Sequence, residues 1–300
     1  MGLKDFLPLY SMSHYDITYY IASGEKFQQL ADIYIGTTYD FKYNPLIWSQ
    51  QTKHKQIESI VGGWNNPTLI FCYSNHIEKI AKYLQFFKNK CVIIFGNSDE
   101  NITYTKCKPI IDSDIILHIY CQNLMFSHSK VSYIPIGVAN RQWAHGKIEY
   151  FMSLPLYDIQ YYKLSHILLS MSLHTNAERA ACASILLNKG IPNRRFSDYK
   201  DYLLALSTAK FCICPDGNGI DTHRLWETLY VKTIPILRRS AFTDILVAAQ
   251  IPCIVVSNWS DLDIPSLPDY STYSFDDEYI SKISFITFKN DILTRFARVG

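Results

Sequence analysis

Short runs of apolar, β-branched residues recur along the chain, separated by stretches with helical spacing of apolar positions. The runs predict strands at Asp32–Gly36, Thr68–Cys72, Cys91–Phe95, Ile115–Tyr120 and Val131–Pro135. A second set follows at Ser165–Met171, Ala209–Cys214, Ile234–Leu237 and Cys253–Val256. Between them the periodicity predicts helices over His76–Phe87, Ala177–Asn188, Tyr199–Ser207, Thr222–Val231 and Phe242–Gln250. Asp276–Arg298 reads as one long amphipathic helix. Gly190, just after Asn188-Lys189 and before Pro192, marks a helix stop. Continuous apolar strands alternating with helices are the pattern of parallel sheets covered on both faces.

The two sets are separated around Gly146–Tyr162, where Pro155 interrupts a tyrosine-rich, poorly periodic stretch. The expected organisation is an N-terminal α/β domain over 1–150, a second over 151–275, and a closing helix over 276–300 that packs back on the first. Two doubly wound halves facing each other would form a cleft lined by the C-terminal ends of strands, where open α/β sheets take ligands.

Composition narrows the chemistry. The 300 residues are 48% apolar and 19% charged, enough to bury a full core. Twenty-nine basic against 27 acidic residues leave a net charge of +2, which excludes a strong field for nucleic acid or an anionic membrane. A bound anion must then be held by a few local residues and backbone dipoles. No run approaches the ~18 apolar residues of a membrane span. The opening Met1–Phe6 shows no signal-peptide run, and Phe6 stands where myristoylation at Gly2 favours Ser or Thr. The eight cysteines form no CxxC pair, and Cys72, Cys91, Cys212, Cys214 and Cys253 lie in or beside apolar runs. They read as buried thiols of a cytoplasmic protein, with no zinc-ligand spacing.

The informative stretch runs from Phe211 to Leu237. Its strand stops at Cys214-Pro215, and Gly217 and Gly219 allow a sharp turn with close approach to a ligand. Asp221 or Thr222 caps the next helix, whose exposed N–H groups can receive an anion. Arg224 in the first turn opposes the helix dipole unless an anion is bound there, and it can meet a phosphate bidentately. Glu227, one turn on, shares its face and can accept hydrogen bonds from a ribose diol. A plain surface pair is the alternative for Arg224 and Glu227. Trp226 points elsewhere and reads as core.

The ordered string Pro215, Gly217, Gly219, Asp221-Thr222-His223-Arg224, Trp226-Glu227, Leu229 and Ile234-Pro235-Ile236 resembles the exostosin-type glycosyltransferases. Thr228 departs from the family's small alanine, and Lys232-Thr233 from the common glycine before the strand. The match spans a small part of the chain. It implies a GT-B fold of two Rossmann-like domains: acceptor in the N-terminal one, nucleotide sugar in the C-terminal one. It also implies a UDP-sugar donor, inversion at the anomeric carbon, no required metal or other cofactor, and a glycan acceptor. In that reading Gly217, Asn218, Gly219, Thr222, His223 and Arg224 bind the donor, Arg224 at its diphosphate, and Glu227 holds the ribose. The family's animal members are membrane-anchored, so the resemblance points to a soluble bacterial or viral relative, acting in the host cytoplasm if viral.

Other positions fit such a donor site. Thr175 or Asn176 caps the helix after strand Ser165–Met171, and Arg179 in its first turn is either a second phosphate contact or a solvated side chain. Asn140, Trp143 and His145, in a segment also similar to exostosin-like soluble transferases, are expected at the interdomain edge, where an aromatic face can stack on a sugar. An inverting reaction needs a base. Asp99, in the loop after Cys91–Phe95, is the first choice and His76 its rival; a turn or cap role is the alternative for Asp99.

Two other readings compete. A metal-dependent transferase would use Asp112-Ser113-Asp114 or Asp261-Leu262-Asp263, although the apolar strand follows Asp114 rather than preceding it. A non-catalytic nucleotide- or carbohydrate-binding protein would keep the fold without turnover. A Rossmann dehydrogenase is disfavoured, because Gly62-Gly63 forms no GxGxxG after a strand.

Overall fold

The computed structural model describes residues 17–35, 67–154 and 163–297. Gly2, Phe6, Gly36, Gly62, Gly63, Pro155 and Arg298 lie outside them. The strands are β1 (Ile33–Ile35), β2 (Thr68–Tyr73), β3 (Cys91–Gly96), β4 (Ile116–Cys121), β5 (Val131–Tyr133), β6 (Ser165–Leu168), β7 (Ala209–Ile213), β8 (Ile234–Arg238) and β9 (Ile254–Val256). The helices are α1 (Ile17–Tyr20), α2 (Gly24–Gln29), α3 (Ile77–Tyr83), α4 (Tyr104–Ile111), α5 (Glu149–Met152) and α6 (Glu178–Asn188). They continue with α7 (Tyr199–Ser207), α8 (His223–Tyr230), α9 (Ala241–Ala248), α10 (Asp277–Ile283) and α11 (Phe285–Ala297).

The described chain divides into two units, one of residues 23–136 with 288–297 and one of 17–22 with 137–287. The first holds a parallel sheet in the order β1-β2-β3-β4-β5, the second a parallel sheet in the order β6-β7-β8-β9. A doubly wound sheet reverses its strand order partway. Among the described residues each sheet runs in chain order, with no reversal. Apolar runs record burial on both faces but not which strand neighbours which, and periodicity therefore could not supply the order.

In the first unit β3 is buried along its whole length, and Phe71, Phe95, Tyr34 and Tyr120 are among the largest side chains in its core. His118 and Tyr120 share one face of β4. The Tyr120 hydroxyl donates to Asp291 Oδ2 at 2.6 Å, and the Phe288 ring meets Phe27 and Tyr133 edge-on. The end of β3 is fixed from β4: Gln122 Oε1 accepts from the Asn97 N–H at 2.8 Å, and the Asn123 amide donates to the Ser98 carbonyl.

In the second unit Trp226, Leu225 and Leu229 of α8 are buried with Phe211, Cys212 and Ile213 of β7. Gly190 has φ +80° and ends α6 in a Schellman turn, with Ile191 N–H on the Leu186 carbonyl and Gly190 N–H on that of Leu187. All eight cysteines are free thiols and seven are buried.

Two helical expectations change. The closing helix is two, because Ser284 adopts an extended conformation after α10 and its hydroxyl accepts from the Ile286 N–H at the start of α11. The helix expected over His76–Phe87 is α3 flanked by 3-10 turns at Ser74–His76 and Leu84–Phe86. Helix α4 was not read from the sequence: Pro109 lies inside it and disguised the pattern.

Candidate functional site

The residues of the glycine-rich stretch gather beyond the C-terminal ends of β6 and β7. Cys214 keeps one bond to the sheet, its N–H donating to the Ile236 carbonyl at 2.9 Å, and Pro215 ends the pairing. The chain then turns on itself, Gly217 N–H donating to the Gly219 carbonyl at 2.9 Å. Both glycines are buried and Asn218 between them is exposed.

Arg179 holds this turn. It is 6% exposed; its Nε donates to the Asp216 carbonyl at 2.7 Å, with longer contacts to the carbonyls of Ser172 and Pro215. It is neither solvated nor open on all sides to a phosphate, because most of its fork is committed to backbone. Asn176 works beside it, its amide donating to the Gly217 carbonyl and its Oδ1 accepting from the Glu178 N–H, both at 2.9 Å. Thr175 precedes it without a side-chain bond to α6. Behind the turn, Arg238 pairs with Glu178 at 2.5 Å and approaches Asp216 at 3.6 Å. Burial raises the Asp216 carboxyl above the usual range, against the pull of Arg238.

Helix α8 starts at Thr222, which has the extended backbone of an N-cap but no side-chain cap bond. Asp221 stands just before that N-cap; its Oδ1 accepts from Trp226 Nε1–H at 2.7 Å and orients the buried indole. His223 Nδ1 lies 2.7 Å from the Gly137 carbonyl, which can only accept, so the ring carries its proton on Nδ1 there. Thr228 is accommodated without alanine because its hydroxyl donates to the Arg224 carbonyl at 2.6 Å.

Arg224 is half-buried, no hydrogen bond or ion pair ties its guanidinium to a described residue, and its Nε is buried without a partner. Burial pulls its pKa down, but Tyr202, Cys212, Cys214 and Glu227 outweigh that and hold it above the ordinary value. Arg179 feels the opposite: burial, with the charge of Arg224 next, lowers it to about 10. Glu227 is 4% exposed; its Oε1 accepts from the Tyr199 hydroxyl at 2.7 Å and its Oε2 from that of Tyr202 at 2.9 Å. Two neighbouring guanidiniums at an uncapped helix start, with one of them unbonded, form a place that an anion stabilises.

The Asn140–His145 segment belongs to the same unit as this turn. The His145 ring lies 6.5 Å from His223 and 6.0 Å from Tyr199, and it stacks at 6.4 Å on Trp143, which is 55% exposed. Asp99 and His76 belong to the other unit. Asp99 is exposed in the loop after β3. His76 is 4% exposed with Nε2 unpartnered, and burial, then Lys79, lowers its pKa. Tyr199 and Tyr202 were missed from the sequence: they stand one helical turn apart on α7, but nothing in that spacing points to a carboxylate 25 residues away.

The paired aspartates serve turns. Asp112 ends α4 and pairs with Lys108 at 2.6 Å, while Asp261 accepts from the Asn258 N–H at 3.0 Å. Among the described residues no group of three or more His, Cys, Asp or Glu is placed to hold a metal ion, and no helix is long and apolar enough to cross a membrane.

No family model matches the chain, and no curated protein matches it. Among solved structures the chain is similar to a UDP-forming α,α-trehalose-phosphate synthase from Burkholderia xenovorans, at 11% identity and a TM-score of 0.43, over 77% of this chain and 74% of that one. Similarity at this level carries neither fold nor function across.

Proposed function

We propose that the chain is a GT-B-type glycosyltransferase, similar to the exostosin-type enzymes, that moves a sugar from a nucleotide diphosphate donor to a hydroxyl of a glycan acceptor. The observation that carries this reading is Arg224, a charged side chain with a buried, unpartnered Nε beside Arg179 at the start of α8. The sequence resemblance adds the donor class, with UDP-sugar first, and the GT-B arrangement with the acceptor received by the other unit.

In the proposed reaction the acceptor oxygen attacks the anomeric carbon from the face opposite the diphosphate. The bond to the phosphate oxygen breaks, and its electron pair leaves with the diphosphate, where Arg224 and the N–H groups at Thr222 and His223 stabilise the charge. Glu227 orients the ribose. Asp99 takes the acceptor proton; His76, buried as it is, ranks second. The reading needs no metal and places the protein in the cytoplasm. Trp143 and His145 offer an aromatic face to the sugar.

A thermal-shift panel of UDP, GDP, ADP, CMP and NAD, each with magnesium and with EDTA, tests the site. Ligand at ~100 times its dissociation constant adds ~2.7 kcal/mol, a rise of several degrees. A UDP shift that survives EDTA is expected. A shift that requires magnesium would return Asp112-Ser113-Asp114 and Asp261-Leu262-Asp263 to contention. Binding without turnover of any UDP-sugar would favour the non-catalytic reading.

A further inference from the structure

Glu227 and Arg224 stand one turn apart on α8, a spacing at which a carboxylate and a guanidinium readily pair. A buried carboxylate ordinarily closes on the nearest cation, because an uncompensated charge away from water is costly. Here no ion pair joins them, and each Glu227 oxygen instead receives one phenol, from Tyr199 at 2.7 Å and from Tyr202 at 2.9 Å. The two phenols reach the carboxylate from a different helix, α7, and solvate it with neutral donors. Burial first, and the Glu227 charge next, push both phenols well above their ordinary pKa, so they remain donors.

We propose that Tyr199 and Tyr202 are positioning residues of the anion site, which hold the Glu227 carboxylate off Arg224 and so leave that guanidinium open to a diphosphate. The inference rests on the reading of Arg224 as the anion contact. Without the phenols, Glu227 would turn to Arg224 and compete with the ligand for it.

The test uses inorganic pyrophosphate, which needs the guanidinium but no ribose contact, titrated into the full chain. Tyr199→Phe/Tyr202→Phe should weaken pyrophosphate binding at least tenfold, and adding Glu227→Gln to that variant should restore it, since the competing charge is gone. Weakening without rescue would show that the phenols act only through the fold and would overturn the proposal. Unchanged binding in the double variant would overturn it as well. Should the double variant not fold, Tyr202→Phe alone with the same Glu227→Gln rescue carries the comparison. Absence of pyrophosphate binding to the wild-type chain would instead defeat the anion-site reading itself.

Discussion

His223 donates its Nδ1–H to the carbonyl of Gly137 at 2.7 Å, tying the first residue of α8 to a backbone position 86 residues earlier. Gly137 is there because little else fits: its φ is +66°, and an added Cβ would lie 2.0 Å from the Ala22 carbonyl oxygen. Gly137→Ala should therefore cost at least ~2 kcal/mol from the left-handed backbone and the clash together. The check is denaturant unfolding, where a midpoint within error of wild type would contradict the packing described.

Arg179 and Arg224 separate structure from ligand binding. Arg179→Met removes the donors that hold the turn's carbonyls and should lose ~2 kcal/mol or more of stability. Arg224→Met removes a half-buried cation that no hydrogen bond or ion pair ties to a described residue, so its cost should stay below ~1 kcal/mol. Thermal unfolding of both variants without ligand tests the contrast; equal losses would mean that Arg224 is a structural residue.

His118 gives a pH signature. It is 5% exposed with Nε2 at 2.8 Å from Ser132 Oγ, and burial, then Arg295, lower its pKa from 6.5 to about 4, with Asp291 opposing and Lys130 adding to the decrease. The unfolded chain then binds a proton near pH 6.5 that the folded chain refuses until about 4. Stability should fall as pH drops through that window, by up to ~3 kcal/mol for this group, and no further below it. His118→Gln should flatten this limb of the stability curve; an unchanged slope would remove His118 as its source.

Asp99→Asn should lower turnover about a hundredfold or more while leaving nucleotide affinity unchanged, as loss of a general base does. Steady-state rates with a UDP-sugar and acceptor, alongside UDP titrations, check this. Near wild-type turnover would return Asp99 to the role of a turn residue.

Gly190→Ala isolates a backbone effect. Nothing lies within 4 Å of the added methyl, so only the φ of +80° resists it. A loss of ~1 kcal/mol is expected. No loss would mean that α6 ends differently in solution.

Much of this fold was legible in the sequence because burial writes itself as apolar runs. Every strand among the described residues was foreseen, most within one or two residues at each end; β6 stops earlier than expected, at Leu168 rather than Met171. The Gly190 stop and the buried Trp226 were equally visible. Strand order was not, since it depends on contacts between runs that look alike. Ser284 sits in an apolar periodic stretch and reads as helix interior until its extended backbone is seen. At the site, Arg224 and Glu227 were readable from local spacing. Arg179 was readable too, from its place in the first turn of α6, though not its hold on the Asp216 and Pro215 carbonyls; Tyr199 and Tyr202 were not, because they reach Glu227 from another helix.

The most direct test of the central claim is a calorimetric titration of UDP, in EDTA, into the wild-type chain and into Arg224→Met. The account predicts saturable binding to wild type and at least tenfold weaker binding to the variant, with both proteins equally folded. Equal affinity in the two, or no binding to wild type, would contradict it.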